Sequence, residues 1–390
     1  MNYEELIASS VREVPPSGIR KFFDIASELK DVISMSVGEP DFVTPWNIRQ
    51  AAINSIELGE THYTSNSGTI RLRELIKRYL SERFAVEYGI DQMLVTVGAS
   101  EALDLAFRAL VEPGDEVLIP APSYVSYEPS VRFSHGIPVA VPTREKDGFV
   151  MKPEEMEKLI TEKTKLMVIP YPNNPTGAVL DKEDISALKD IALKHDLFVI
   201  ADEIYAELTY GRRHISFAEG FEDRTLLING FSKAFAMTGW RLGYAAGPKP
   251  VIAAMLKIHQ YSMLCASIMS QRAGEEALIN EMNKDYSQIT DMLRNYNRRR
   301  VYLVDSLREM GYPCYEPKGA FYVFPNITPS GLTSEEFCTR LLLKHHVACV
   351  PGTAFGKNGE GYIRCSYATS LESIREAVSR IKTFTEELKA

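Results

Sequence analysis

Neither of the glycine-rich phosphate turns common in nucleotide-binding proteins occurs in this sequence: there is no Gly-Lys-Ser/Thr loop and no Gly-x-Gly-x-x-Gly turn. Their absence disfavours a nicotinamide-dependent dehydrogenase. The five cysteines, Cys265, Cys314, Cys338, Cys349 and Cys365, are odd in number, scattered and free of any Cys-x-x-Cys pair. That pattern argues against a disulfide framework or a zinc site and for reduced, mostly buried thiols. The adjacent His345 and His346 have no partner at metal-ligand spacing, so no metal is expected and both are assigned to the surface. Long cationic tracts are missing too. With 44 Lys and Arg against 52 Asp and Glu the net charge is −8, so no nucleic-acid partner is expected, although local cationic pockets for small anions stay open. The one arginine cluster, Arg298 to Arg300, reads as a solvated helix face. No apolar run approaches the roughly 20 residues that span a bilayer, and the start, Met1-Asn-Tyr-Glu-Glu5, is acidic rather than basic. A cytoplasmic protein with no membrane partner is expected.

What the chain does have is apolar content, 45% of 390 residues, which suffices for a large core and, at this length, for two domains. Residues 1–14 read as a short helical arm of the sort that lies on a partner subunit, set off by the breaker cluster Pro15-Pro-Ser-Gly18. Short apolar runs at 94–97, 117–119, 139–141, 166–169, 197–200 and 225–228 alternate with helical patterns. Such alternation predicts an α/β fold whose mostly parallel central sheet is covered by helices, assigned to a large domain at 47–285. Beyond about Lys257 the pattern changes to long helices, one running through 262–280 and one over 286–310, then to strands at 321–324, 348–350 and 361–366. Thr333-Ser-Glu-Glu336 is a capping box that opens a helix to about His345, and Thr369-Ser-Leu-Glu372 opens the last helix. With the segment before Trp46 these pieces predict a smaller, discontinuous α+β domain from 15–46 and 286–390.

Chemistry is expected in the loops after the strands' carboxyl ends, where open α/β sheets bind ligands. Lys233 lies in Gly230-Phe-Ser-Lys-Ala-Phe-Ala-Met-Thr-Gly-Trp-Arg-Leu-Gly243, just past the apolar run at 225–229. An amine attacks a carbonyl only when neutral, and a nearby guanidinium such as Arg241 would lower its pKa. Ser232 and Arg241 could also hold an anion. A Schiff-base lysine beside a phosphate is what pyridoxal phosphate chemistry requires; two ordinary surface cations are the competing reading. Gly98, Ala99 and Ser100 open a helix whose N–H groups could face an anion or form a simple cap. Tyr124, in the turn Pro120-Ala-Pro-Ser-Tyr124, could stack on a planar ring or fill a core. Asn174 sits in Tyr171-Pro-Asn-Asn-Pro-Thr-Gly177, where the Asn174-Pro175 bond could be cis. Asp202 ends an apolar strand and needs a cation, an internal salt-bridge partner or a protonated ring nitrogen, unless it serves as a helix cap; Tyr205 follows three residues on. Gly38, in Gly38-Glu-Pro-Asp41, permits close backbone approach to a ligand. Tyr63 lies in a polar loop ahead of a helix at 70–84. Arg364, between Ile363 and Cys365, needs an anionic partner, either an internal carboxylate or a bound one.

From Gly38 through Arg364 these stretches resemble, in order and approximate spacing, the class I and II aminotransferases. Gly230, Ser232, Lys233, Gly239, Arg241 and Gly243 match the lysine signature, and Asn-Pro-Thr-Gly at 174–177 and Pro-Ser-Tyr at 122–124 match two further motifs. The resemblance implies a pyridoxal-phosphate enzyme in which Lys233 bears the cofactor and then acts as general base, and Asp202 keeps its ring nitrogen protonated. Asn174 and Tyr205 would tune the phenolic oxygen and Tyr124 would stack on the ring. Gly98, Ala99, Ser100, Ser232, Arg241 and a neighbouring subunit's Tyr63 would surround the phosphate, which implies a homodimer with shared sites. Arg364, with the Gly38 backbone and Asn174, would orient an amino acid whose amino group passes to a 2-oxo acid, 2-oxoglutarate being the expected acceptor. Ser17-Gly-Ile-Arg-Lys-Phe22 and the stretch from Ser232 most resemble a bacterial subgroup of N-acetyl-diaminopimelate and aspartate aminotransferases. Arg20 would be the second cation for a dicarboxylate, or a surface charge. A carbon–sulfur β-lyase of the same fold would share nearly every residue named. A non-catalytic ligand-sensing module is disfavoured by the intact Lys233 and the lack of an added DNA-binding domain.

Overall fold

A computed structural model of the chain describes residues 1–16, 18 and 29–389. In chain order the strands are β1 (Ile33–Ser34), β2 (Met93–Thr96), β3 (Glu116–Ala121), β4 (Ile137–Pro142), β5 (Thr164–Ile169), β6 (Phe198–Asp202), β7 (Thr225–Gly230), β8 (Gly243–Ala246), β9 (Tyr322–Val323), β10 (Val347–Ala348), β11 (Val350–Pro351) and β12 (Ile363–Ser366). Seven of them form one sheet in the order β2-β8-β7-β6-β5-β3-β4. Every neighbouring pair is parallel except those of β8, which runs antiparallel to both β2 and β7. Alternate residues of each strand enter different cores. Leu94, Val117, Leu166, Ile200 and Leu226 pack on one face, under helices Gly98–Leu110 and Lys249–Ser262, while Val95, Leu118, Met167, Val199 and Leu227 pack on the other. A period-two strand apolar on both faces is stable only between two helical layers, which is why these runs read as continuous hydrophobic stretches.

β8 has no counterpart in the sequence reading, because Gly243-Tyr-Ala-Ala246 lacks the β-branched signal of a strand. It forms because small residues let it pass close to the start of helix Gly98–Leu110: a Cβ on Gly243 would lie 2.5 Å from the Ala99 nitrogen. The expected helix through 262–280 is two helices, Lys249–Ser262 and Ile268–Asn283, separated by a turn in which Leu264 is left-handed (φ 69°). The expected strand at 348–350 is likewise two, since β10 pairs with β1 and β11 with β12, and Cys349 is the switch between them. β11, β12 and β9 make a small antiparallel sheet whose own core includes Phe321 next to β9 and Phe337, Leu341, Ile374 and Ile381 from the last two helices, Ser334–His345 and Leu371–Lys389. The arm resolves into two one-turn helices, Tyr3–Leu6 and Ser9–Arg12, the second lying against helix Tyr127–Phe133 of the same chain.

The arginine cluster is not a solvated face. Successive residues on a helix point about 100° apart, so Arg298 is exposed while Arg299 pairs with Asp41 at 2.8 Å and Arg300, buried, reaches Glu316 at 2.9 Å and the Pro317 carbonyl. His345 is not a free surface residue either, because its Nε2 meets Glu387 at 3.1 Å and its ring lies on Phe384. Cys314, Cys338, Cys349 and Cys365 are buried free thiols and Cys265 is half-buried. Among the described residues no helix is long and apolar enough to cross a membrane.

Gly243→Ala forces its methyl into backbone atoms of Gly98 and Ala99 that cannot rotate away. We expect a loss of about 1–3 kcal/mol, read as a lower midpoint of urea unfolding; an unchanged midpoint would show that β8 and the helix are not locked together there.

Candidate active site

Because β2, β3, β5, β6 and β7 point the same way, the loops after their carboxyl ends fall along one edge of the sheet. Gly98, Tyr124, Asn174, Asp202 and Lys233 each lie at or just beyond one of those ends. Gly38, Tyr322 and Arg364 approach the same edge from the smaller sheet and its flanking segments, as their contacts with Lys233, Tyr205 and Asn174 record.

Lys233 is partly buried, and its Nζ donates to the Gly38 carbonyl at 2.6 Å while lying 5.5 Å from the centre of the Tyr205 ring and 5.6 Å from that of Phe321. Burial pushes its pKa down to about 8; the Glu39 carboxylate opposes the shift, and the cations of Arg364 and Arg241 add to it. The sequence reading assigned that shift to Arg241, whereas burial dominates and Arg364 contributes ahead of Arg241.

Asp202 is buried at the end of β6. Its Oδ2 accepts from the Tyr127 hydroxyl at 2.9 Å and its Oδ1 from the Ile204 N–H at 3.2 Å. No cation pairs with it among the described residues. Burial therefore lifts its pKa to about 6, against the pull of those two hydrogen bonds. The carboxylate is held in place yet lacks a counter-charge.

Arg364 has the converse problem. It is 2% exposed, its Nη1 donates to Asn174 Oδ1 at 2.9 Å and its Nη2 to the Ser36 carbonyl at 2.6 Å, and its guanidinium lies over the rings of Tyr322 and Phe355. Its Nε has no partner, and among the described residues no carboxylate pairs with it. Among the described residues the internal salt bridge left open by the sequence is thus absent. A buried guanidinium with an unspent N–H is an anion site.

Gly98 is left-handed (φ +77°), and a Cβ there would stand 2.6 Å from Arg241 Nη2. Arg241, itself at φ 51° and anchored by its Nη1 to the Thr238 carbonyl at 2.9 Å, lays its guanidinium across the first turn of helix Gly98–Leu110. Ser100 and Arg241 are exposed, Ser232 is buried, and Ala99 is half-buried. Tyr124 is half-buried and edge-on to Tyr127. Asn174 lies in a loop in which Tyr171-Pro172 and Asn174-Pro175 are both cis.

In the single chain the Tyr205 hydroxyl bonds Tyr322 at 2.8 Å and Asn174 bonds Arg364. Tyr63 is 83% exposed and stands apart from the site, in a loop that Thr64 ties to Gln271. Arg20, with Ser17 and the stretch to Phe22 apart from Gly18, lies outside the described residues. Tyr127 and Tyr322 escaped the sequence reading. Tyr322 touches Tyr205, faces Arg364 and limits position 38 to glycine, since a Cβ there would lie 2.6 Å from its hydroxyl. Aromatics in a helix start or a strand read as core, and only the spacing of Tyr127 three residues after Tyr124 hinted otherwise.

A lysine amine of lowered pKa, a buried acid without a cation and a buried arginine without an anion, gathered on one sheet edge, define an enzyme for carbonyl–amine chemistry on carboxylates. The chain belongs to the class I and II aminotransferase family, whose model matches residues 30–381. It is 45% identical to an aspartate aminotransferase of Pyrococcus abyssi over 96% of this chain and 97% of that protein. It is 41% identical to a Bacillus subtilis protein named as a probable N-acetyl-LL-diaminopimelate aminotransferase, over 98% and 96% of the two. A solved aspartate aminotransferase from Thermus thermophilus, determined with maleate, superposes with a TM-score of 0.93 at 38% identity, over 97% of this chain and 99% of that one. The protein is a transaminase, and its cofactor is pyridoxal phosphate.

In the cofactor-free protein, acetylation of Lys233 by a small uncharged anhydride, followed by mass spectrometry, should rise with pH about a midpoint near 8. Arg364→Gln removes a cation that disfavours the ammonium, so it moves that midpoint upward. A wild-type midpoint at the ordinary 10.5 would contradict the burial described.

Proposed function

We propose that this transaminase moves the amino group of an aspartate-type or N-acetyl-diaminopimelate-type L-amino acid to a 2-oxo acid, with 2-oxoglutarate and glutamate as the second pair. The observation that supports a carboxylate substrate best is the buried, anion-free guanidinium of Arg364 with its unpartnered Nε. The two names among its relatives, one for aspartate and one for N-acetyl-LL-diaminopimelate, support the choice of donors.

The residues present fit pyridoxal phosphate. Asp202 lacks a cation and would receive the hydrogen bond of the protonated ring nitrogen, and Tyr127 holds its other oxygen in place. Tyr124 would cover one ring face, and Asn174 and Tyr205 would face the phenolic oxygen. The phosphate would lie at the first turn of helix Gly98–Leu110, among Gly98, Ala99, Ser100, Ser232 and Arg241, with the exposed Tyr63 supplied by the other subunit of a homodimer. Large apolar side chains exposed in the single chain, Val43, Trp46 and Ile70 among them, support such a dimer. When bound, the cofactor supplies an aldehyde that accepts the amino group and a pyridinium that spreads the negative charge left at the substrate Cα.

The chain's own part is positioning and proton transfer. Arg364 grips the α-carboxylate bidentately and Asn174 keeps the guanidinium aimed, while the Gly38 backbone closes over the substrate. Lys233, whose lowered pKa gives it a larger neutral fraction than an ordinary lysine has, takes the Cα proton and returns it on the far side of the same transfer. Gly38 O holds the amine while it is idle. We assign these parts to a large domain at 47–285 and a discontinuous smaller one at 15–46 and 286–390, and the protein to the cytoplasm.

Visible absorption of the protein with pyridoxal phosphate tests this reading. The band of the lysine-bound cofactor should vanish on adding glutamate or aspartate, return with 2-oxoglutarate, and never form in Lys233→Ala, whose turnover falls at least about 10²-fold. Pyruvate accumulating from a cysteine-like substrate without any oxo-acid acceptor would instead make the enzyme a β-lyase. Arg364→Lys should raise KM for both amino acid and oxo acid about tenfold to a hundredfold, the value of a charged bidentate contact; an unchanged KM would remove Arg364 from the substrate site.

A further inference from the structure

The first turn of helix Gly98–Leu110 is steered from behind by a pair that the reaction does not use. Glu101 sits in that turn, and its Oε2 accepts the Val97 N–H at 2.5 Å. Its Oε1 accepts from His259 Nδ1 at 2.7 Å. His259 is 0% exposed, near the end of the neighbouring helix Lys249–Ser262, and its Nε2 has no partner among the described residues. Nδ1 is thus the ring nitrogen that is bonded among the described residues, and an N–H there donates to the Glu101 carboxylate.

We propose that His259 and Glu101 are positioning residues for the cofactor phosphate, an inference that rests on the phosphate lying at this helix start. The reason is geometric. A carboxylate in the first turn of a helix can rotate among several N–H groups. His259 takes one of its oxygens, so the other can meet only Val97, which fixes the bend at Val97 (φ −76°, ψ 68°). Thr96 makes a second tie at the same bend, from its hydroxyl to the Gly98 carbonyl at 2.9 Å. The N–H groups of Gly98, Ala99 and Ser100 are thereby left free of the Glu101 carboxylate, which would otherwise compete with a phosphate for them. Neither His259 nor Glu101 needs to touch the cofactor.

The test compares the Kd of pyridoxal phosphate with that of pyridoxal, which lacks the phosphate, by absorption titration of the cofactor-free protein. His259→Leu should weaken pyridoxal phosphate at least about tenfold, the effect of losing one buried hydrogen bond to a charged group, and leave pyridoxal unchanged. His259→Asn, which restores a neutral donor at the Nδ1 position, should bind both as the wild type does. If His259→Leu fails to fold, Glu101→Gln substitutes for it, because an amide has one acceptor oxygen and cannot serve both His259 and Val97. Equal loss of the two ligands, or no loss of either, overturns the proposal. Arg241→Gln separates the two layers: if it too leaves the preference for the phosphorylated ligand intact, the phosphate site itself is misplaced. If Arg241→Gln abolishes the preference while the His259 and Glu101 variants do not, only the positioning role falls.

Discussion

Two buried charges with no counter-ion among the described residues, Asp202 and Arg364, are the constraint that organises this structure. Burying an ionised group away from water is costly, and most proteins offset that cost with a counter-ion close by. Here neutral donors and acceptors do the holding: Tyr127 and the Ile204 N–H for the acid, Asn174 and the Ser36 carbonyl for the guanidinium. Neutral partners fix geometry without cancelling charge. The acid's pKa rises as a result, and the arginine keeps an unspent Nε–H. Each side of the site thus carries a buried charge open to a ligand of opposite sign.

Lys233 lies between them and answers to both. Its amine is brought toward neutrality by burial and by Arg364 and Arg241, and restrained by Glu39 and Asp202. The balance depends on two bodies of structure meeting. β7 delivers Lys233, while Gly38, whose carbonyl receives the amine, comes from the segment that joins β1 to helix Trp46–Glu57. Tyr322 ties the junction from a third direction, through its bond to Tyr205, its ring under Arg364 and its hydroxyl against Gly38. Movement of the smaller sheet relative to the larger would change all three contacts together. Arg299, paired with Asp41 and laid over Phe42 and Tyr296, anchors the same segment from the helix side.

Much of this was legible in the sequence because the strand ends are local. An apolar run followed by a small-residue or proline-rich loop is visible in one dimension, and a parallel sheet turns that succession into adjacency. Lys233, Asp202, Asn174 and Gly98 could therefore be picked out one by one. What escaped was set by tertiary contact. β8 has no β-branched residue and is held where Gly243 fits against Gly98; Tyr127 and Tyr322 look like core aromatics until Asp202 and Tyr205 are placed beside them. Helical geometry undid the reading of Arg298 to Arg300, since one position on the helix is solvated and the next two are not. Tyr63 is a different case, because the resemblance assigns it to a neighbouring subunit's site, which a single chain does not contain.

An uncompensated buried carboxylate is not by itself the mark of a site, and this chain contains the control. Glu281 is 1% exposed, its pKa is raised by burial, and it is held by Asn280 and the Ile289 N–H rather than by a cation. Nothing converges on it: no lowered lysine, no open helix start and no loop from the opposite sheet. The arginines make the complementary comparison. Among the described residues Arg300 and Arg364 are the buried pair, and Arg300 meets Glu316 while Arg364 meets no carboxylate. Arg83, less buried, spends its guanidinium on Glu207 through two nitrogens. The fold thus neutralises its interior arginines wherever structure alone is at stake. It leaves one unneutralised where the strand ends of the large sheet, a depressed lysine and a cation-free acid all meet, and that coincidence, rather than any single shifted group, is what marks the catalytic edge.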